Sequence, residues 1–257
     1  VKGLTLLLDA DIIIYRAATV HQRVTDWGDG NISVATDPIE EAILTMQHEV
    51  DEYQVATGAK RLVWCVSDSS DRNFRKLILP TYKFNRPVKP VLCAPLKAWV
   101  LANTKSYLRP TLEGDDVMGI LATHPKLLPG KKMIVSIDKD MKTIPTTIYN
   151  PGKGTEVTYT PEESDYWHLY QTLMGDTTDG YKGCPGVGKV NAARILHGVE
   201  CPHGASSPLA WHYVVSAFKH AGLTEEHALV QARVARILRH TDYDYKTKQP
   251  ILWSPPK

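Results

Sequence analysis

The sequence predicts an α/β fold built on a mainly parallel sheet, and three observations carry that expectation. The runs Leu4-Thr5-Leu6-Leu7-Leu8, Leu62-Val63-Trp64-Cys65-Val66 and Met133-Ile134-Val135-Ser136-Ile137 have the length and the apolar, β-branched composition of interior strands. Each leads into acid: Asp9 and Asp11, then Asp68, then Asp138 and Asp140. Segments with helical spacing lie between the strands, the alternation from which parallel sheets are built. Ligands of such sheets sit outside the carboxyl ends of the strands, so separate stretches of chain deliver acids to one place.

Taken in order, Asp37-Pro38-Ile39-Glu40 predicts an N-cap, a proline at the first helical position and a capping-box glutamate. Ile39, Ala42, Ile43, Met46, Val50 and Tyr53 follow at helical spacing, as expected of a helix lying on the sheet. From Tyr82 to Leu108 the character changes: Pro87, Pro90 and Pro95 break a basic stretch before the helix-compatible segment Leu96 to Tyr107, which predicts a loop that rises over the site and returns as a helix. Thr111 to Asp116 opens a helix that continues through Val117, Met118, Ile120 and Leu121. Thr146 to Tyr149 and Glu156 to Tyr159, separated by Asn150-Pro151-Gly152-Lys153-Gly154, predict a hairpin on the sheet edge. Thr160-Pro161-Glu162-Glu163 starts a capped helix with Tyr166, Leu169, Tyr170 and Leu173 on one face, ending at Gly175. The remainder reads as helical or irregular, with Gln231 to His240 a basic amphipathic helix and Pro250 to Pro256 a tail.

The chemistry concentrates in three acidic clusters: Glu113-Gly114-Asp115-Asp116, Asp138-Lys139-Asp140 and Asp176-Thr177-Thr178-Asp179. Close carboxylates resist ionising together unless a cation offsets them. Hard oxygen donors with few His or Cys nearby favour magnesium or manganese over zinc. Acids in a first helical turn also suit the helix dipole, yet a merely stabilising helix start has no need of Gly114. An isolated Asp-x-Asp reads as a solvated turn; its repetition after successive strands does not.

At 257 residues the chain can bury a substantial core in one large domain or two small ones, and its formal charge of +2 says little about partners. The distribution says more. Between Lys60 and Arg109 eleven basic residues face two acidic ones, and an acidic pocket beside a basic segment suits a polyanion held or cut through metal. Cys65, Cys93, Cys184 and Cys201 form no paired motif, which points to a reducing compartment; His197, Cys201 and His203 are too irregularly spaced for a zinc site. No stretch has the length or apolarity of a signal or membrane segment, so a soluble, cytoplasmic protein is expected. The chain begins at Val1 rather than Met, which points to a processed or truncated start.

Gly183-Cys184-Pro185-Gly186-Val187-Gly188-Lys189, followed by the helix-forming Val190 to Leu196, is the most specific local signal. Glycines permit close backbone approach and amides at a helix start face a phosphate, the logic of an element that grips duplex backbone without reading sequence.

Together these motifs resemble the structure-specific 5′ nucleases, the flap endonucleases and 5′ to 3′ exonucleases, and most closely their bacteriophage members. Asp9 and Asp68 match the family's strand-end aspartates. Glu113, Asp115 and Asp116 match its Glu-x-Asp-Asp motif, Asp138 and Asp140 its Asp-Lys-Asp motif, and Asp176 and Asp179 the pair before its helix-three-turn-helix. Arg75, Tyr82, Lys83 and Arg86 match the stretch at the base of its helical arch. The resemblance implies a PIN-like nuclease core over residues 1–160 with an arch region at 82–108, and a helical DNA-binding region over 161–257 with the helix-three-turn-helix around 165–197. It implies two magnesium ions roughly 4 Å apart, replaceable by manganese, and a potassium ion at the helix-three-turn-helix. Asp9, Asp68, Glu113, Asp115 and Asp116 are expected to hold the tighter metal, with Asp138, Asp140, Asp176 and Asp179 shaping the second. Lys83 and Arg86 are the expected stabilisers of phosphate charge; Arg16 and Arg75 are expected phosphate contacts. Tyr15 and Tyr82 are expected to stack on an unpaired base, although Tyr15 fits a core position equally. Gly183, Gly186, Val187, Gly188 and Lys189 are expected at the duplex. The implied substrate is DNA with 5′ ends or flaps, RNA-DNA hybrid included, cut by a monomer to leave 5′-phosphate and 3′-hydroxyl. In a phage protein the compartment is the bacterial host cytoplasm. A PIN-type ribonuclease and a non-catalytic branched-DNA binding protein are the alternatives. Relatives follow the first aspartate with glycine and a polar neutral residue, whereas this chain has Ala10 and Asp11; Asp11 either adds charge to the site or, the favoured reading, makes a local hydrogen bond.

Overall fold

Leu6 and Leu8 pack on one side of the central strand and Leu7 on the other, and all three are wholly buried, so this strand is covered on both faces. The computed structural model describes residues 3–197 and 207–257. In chain order its elements begin with β1 (Thr5–Asp9), α1 (Ala10–Val20), the hairpin of β2 (Gln22–Asp26) and β3 (Ile32–Thr36), α2 (Ile39–Thr57) and β4 (Arg61–Val66). They continue with α3 (Arg75–Ile78), α4 (Cys93–Asn103), β5 (Ser106–Leu108), α5 (Gly114–Thr123), β6 (Lys132–Val135), β7 (Thr147–Asn150) and β8 (Thr155–Thr158). The last part holds α6 (Pro161–Met174), α7 (Lys189–His197), α8 (Pro208–His220), α9 (Glu225–Ala235) and the two-residue strands β9 (Tyr243–Asp244) and β10 (Gln249–Pro250).

Six strands form one sheet in the order β5-β4-β1-β6-β7-β8. Every pairing is parallel except β7 with β8, the predicted edge hairpin. Helices α1, α2 and α4 cover one face; α5 and the C-terminal residues Ile237, Leu238 and Tyr243 cover the other. The three runs that end in acid are the adjacent strands β4, β1 and β6, so their carboxyl ends form one rim. The mixed α/β fold with a mainly parallel sheet is therefore as the sequence predicts.

Several boundaries differ. Helix α2 has Pro38 rather than Asp37 at its N-cap position, because Asp37 is taken by His21 and Arg23. Ser106–Leu108 is not the end of a helix but a short strand paired with β4. The expected helical limb of an arch is instead a core helix: α4 buries Cys93, Leu96 and Val100 against α1 and α2, and residues 79–92 are turns and extended chain. The basic helix expected over 231–240 stops at Ala235, since Arg236 and Arg239 turn inward to Asp165 and Asp242. Helices α6 to α9 share their own apolar cluster, centred on Leu173, Val214 and Phe218, yet residues 234–243 return to the sheet, so residue 160 does not divide the chain cleanly. The β2–β3 hairpin, exposed along nearly all its length with Val24, Ile32 and Val34 among its outward residues, was not foreseen. Cys201 and His203 lie outside the described residues, and the zinc question with them. Among the described residues no helix is long and apolar enough to cross a membrane.

Candidate active site

The rim formed by β4, β1 and β6 opens into a cleft of about 810 Å³ lined by acids from five segments of chain. Asp9 closes β1, Asp11 stands in the first turn of α1, and Asp68 follows β4. Glu113 and Asp115 come from the start of α5, Asp138 and Asp140 from the turn after β6, and Asp176 and Asp179 from the turn after α6. Eight of the nine expected metal-binding acids thus meet at one cleft, and Asp11 joins them.

Local chemistry fixes each one. Asp9 accepts hydrogen bonds from the Ile12 amide at 3.3 Å and the Ser136 hydroxyl at 3.1 Å. Ser136 Oγ also accepts from the Asp138 amide at 3.1 Å, and Asp138 in turn caps the Asp140 amide at 2.8 Å. Asp68 accepts from the Thr111 amide at 2.9 Å and from Arg72 at 2.6 Å. Asp11 does make hydrogen bonds, though across the fold rather than locally, accepting from the Ser67 amide at 3.2 Å and from the Ser67 hydroxyl. Its carboxylate also faces the cleft, so it adds charge to the site as well.

The electrostatics describe a site short of positive charge. Burial, with Asp11 and Asp138 close by, pushes the Asp9 carboxyl up to about 7. Burial and then Asp9 and Asp138 push Asp115 well above the ordinary carboxylate range. Asp140 rises to about 6 through burial and Asp138. Glu113 goes the other way: burial alone would raise it, but the Lys83 ammonium and the Arg75 guanidinium outweigh that and hold it down to about 2. Lys139 bridges Asp140 at 3.0 Å and Asp176 at 2.7 Å, while Lys83 contacts Glu113 and reaches Asp179 at 3.5 Å. Arg86 pairs with Asp179 at 2.5 Å. These cations occupy the acid cluster, and among the described residues no three carboxylates close around a single point. The donor set nonetheless suits hard divalent cations, which prefer carboxylate oxygen and would offset the repulsion that raises Asp9, Asp115 and Asp140.

Four expected roles are corrected. Asp116 is not at the cleft but wholly buried behind it, receiving both Arg75 nitrogens at 2.7 Å, the Leu238 amide at 3.0 Å and the Glu113 amide at 3.2 Å. Arg75 is 2% exposed, donates to the Val234 and Arg236 carbonyls as well, and has no path to a phosphate. Tyr82 is 3% exposed, donates to Glu113 at 2.7 Å and packs with Tyr181 and Val234, so it has no face for a base. Gly183 is buried against Gly175 and donates to Gln231, which makes it a packing glycine; a Cβ there would meet the Leu173 carbonyl at 2.5 Å. Gly186 and Gly188 are exposed with open space around them, Lys189 is exposed at the start of α7, and Val187 is half-buried in the helical cluster. Tyr15 is 47% exposed on α1, one turn beyond Asp11 and not among the residues lining the cleft, and Arg16 is paired with Glu49 at 2.8 Å in a separate hollow beside Tyr53 and Tyr149.

The sequence reading passed over Ser67, Ser136, Lys97 and Lys139. Ser67 links three elements, donating to Asp11 and accepting from the Gly114 amide at 2.7 Å, while Lys97 donates to its carbonyl at 2.6 Å. Nothing in a lone serine after a strand signals such a role. Lys139, inside the Asp-Lys-Asp motif, was the one with a visible signal. Lys83 sits at φ +51°, a left-handed backbone position uncommon for lysine, its amide tied to the Asp179 carbonyl at 2.8 Å.

A family model described as the 5′-3′ exonuclease, N-terminal resolvase-like domain matches residues 4–165. The exodeoxyribonuclease of Enterobacteria phage T3 is 31% identical over 99% of this chain and 93% of its own length. The exonuclease of Escherichia phage T7 is also 31% identical, over 99% of this chain and 94% of its own. Among solved structures, the T5 D15 protein co-crystallized with metal ions superposes with a TM-score of 0.59 at 14% identity, covering 89% of this chain and 87% of that one; this likeness concerns the fold. With the family model spanning more than half the chain and two phage exonucleases aligned along almost all of it, this chain belongs to the 5′-3′ exonuclease family.

Proposed function

We propose that the protein is a magnesium-dependent, structure-specific 5′ nuclease that hydrolyses DNA phosphodiesters at 5′ ends and flaps, leaving 5′-phosphate and 3′-hydroxyl. The observation that carries this reading is the meeting of Asp9, Asp115, Asp138, Asp140, Asp176 and Asp179 at one cleft whose wall bears Lys83 and Arg86. Asp9, Glu113 and Asp115 are the donors for the tighter of two divalent ions, with Asp68 beside them; Asp138, Asp140, Asp176 and Asp179 serve the second, partly through water. When bound, such ions activate the attacking water and neutralise the leaving oxygen, and manganese should serve in place of magnesium.

The chain's own residues do the rest. Lys83 and Arg86, now held by Glu113 and Asp179, are poised to move onto the non-bridging oxygens of an incoming phosphate. Asp140 and Asp176, now bridged by Lys139, would be free to hold a divalent ion once that lysine swings away. Gly186, Gly188 and Lys189 offer exposed amides and an ammonium to the duplex backbone, where a potassium ion could be shared. The same cleft would accept RNA-DNA hybrid. The exonuclease names of the T3 and T7 relatives, and the T5 flap endonuclease solved with DNA and metal ions, support this reading. In this reading the protein acts as a monomer in the host cytoplasm.

Product sizing on a 5′-labelled flap in magnesium is the test. Junction-length or mononucleotide products with 5′-phosphate are expected. Cutting of single-stranded RNA with no cutting of the flap would favour a ribonuclease instead.

A further inference from the structure

Helix α6 carries a surface that the cleft chemistry does not use. Tyr166, Trp167 and Tyr170, all half-buried, group on its outer side: Tyr166 and Trp167 ring centroids lie 5.4 Å apart, Trp167 and Tyr170 5.3 Å, Tyr166 and Tyr170 6.1 Å with planes tilted by only 30°. The helix buries Ser164, His168, Leu169, Gln171, Thr172 and Leu173, and Tyr170 packs along the edge of that core, so the half-buried Trp167 ring is the one the core leaves without an account.

Both ends of the group are tied to the nuclease machinery. At one end Lys142 Nζ lies 4.3 Å from the Trp167 ring centre, and Lys142 belongs to the turn that supplies Asp138 and Asp140. Gln171, one turn on from Trp167 and buried, donates to Asp140. At the other end the Tyr170 hydroxyl donates to the Lys189 carbonyl at 3.3 Å, at the start of α7. Aromatic faces interleaved with ammonium groups are the physical signature of single-strand binding, in which bases stack and phosphates are neutralised.

We propose that Trp167 and Tyr170, with Lys142 and Lys189 at their flanks, form a platform for unpaired DNA running between the acid cleft and the exposed loop before α7. The occupant is single-stranded DNA of the substrate itself: Gln171 links the platform to the cleft at Asp140, and the cations Lys142 and Lys189 lie against Trp167 and Tyr170, while the acids Glu162 and Glu163 stand at the helix start and Asp165 is paired with Arg239. It rests on the nuclease reading of that cleft, and it adds a binding surface on an element other than the 79–92 segment.

The test measures binding of fluorescein-labelled oligo-dT and of a blunt duplex to the full chain in EDTA, alongside thermal melting. Base stacking on one aromatic is worth about 1–3 kcal/mol, roughly 5- to 150-fold in affinity. Trp167→Ala is expected to weaken oligo-dT binding about tenfold or more, Trp167→Phe less than about threefold, and Lys142→Gln to reduce the salt dependence, with blunt-duplex affinity kept within about twofold in all three. Oligo-dT binding by Trp167→Ala within twofold of wild type, or equal losses for both probes, overturns the platform. If Trp167→Ala melts early, Lys142→Gln decides: an unchanged salt dependence of oligo-dT binding, or an equal change for both probes, overturns the platform. Flap cutting by the unaltered chain in magnesium is scored separately: its absence would sink the nuclease reading, whereas unchanged oligo-dT binding would sink only the platform.

Discussion

Asp11 and Gly114 meet only in the folded chain. A Cβ on Gly114 would lie 3.0 Å from the buried Cys65 carbonyl and 3.1 Å from a carboxylate oxygen of Asp11, which lines the cleft. Gly114→Ala is therefore expected to cost about 1–3 kcal/mol of stability through overpacking, read by urea unfolding, and to lower cleavage as Asp11 and Ser67 shift. For Lys83→Ala the expectation is a loss of about 10²–10³-fold in single-turnover rate with duplex affinity within about threefold; the reverse pattern would make it a binding residue. The acids of the cleft were legible because each stands at the end of a strand or the opening of a helix, where sequence pattern and position coincide. Asp116 and Arg75 were not. Pattern alone cannot tell a carboxylate facing the cleft from its neighbour facing inward, and that difference is set by the returning segment at Val234 to Leu238.

Helix α6 leads into the glycine-rich loop before α7, and its seating turns on His168. That side chain is 1% exposed, its Nε2 lies 2.8 Å from the Ala232 carbonyl of α9, and its ring stacks edge-on against Trp253. Burial, with Arg236 close by, pushes the imidazole down to about 3. The native state thus refuses a proton that the unfolded chain accepts near pH 6.5. Stability is full above that value and falls as pH drops toward 3, by up to about 1.4 kcal/mol per pH unit. Urea midpoints measured across this range should show that slope in the wild type and a flatter one in His168→Gln, provided the variant folds. Helices with caps and strong spacing, α2 and α6, were readable from sequence. Helix α4 was misjudged because its buried residues, Cys93, Leu96 and Val100, look like any short apolar segment until α1 and α2 are seen to cover them. The end of α9 was misjudged because Arg236 and Arg239 read as surface charge, whereas Asp165 and Asp242 draw them in.

At the scale of the whole molecule, the chain is closed by one buried contact. Arg75, from the segment after β4, binds Asp116 on α5 and two carbonyls of the C-terminal return, so it joins the sheet, the acid-bearing helix and the last part of the chain. Removing one partner of a buried pair leaves an uncompensated charge, so Arg75→Met is expected to lose about 3–5 kcal/mol in denaturant unfolding, more than any single surface charge. Because Arg75 also touches Glu113, the same contact sets the position of a carboxylate in the cleft, which couples overall closure to the site. The parallel sheet and the meeting of acids at its rim were visible in the sequence; the C-terminal return was not, since no motif marks residues that fold back over more than a hundred positions.

The central claim is that the carboxylates at this rim form the hydrolytic centre. It is tested most directly by the single-turnover rate of Asp115→Asn on a 5′-labelled flap at saturating magnesium, beside wild type and with folding verified by melting. The account predicts a folded variant that binds the flap and cuts it at least about 10³-fold more slowly, as loss of a metal-binding carboxylate should. A folded variant cutting at the wild-type rate would contradict it.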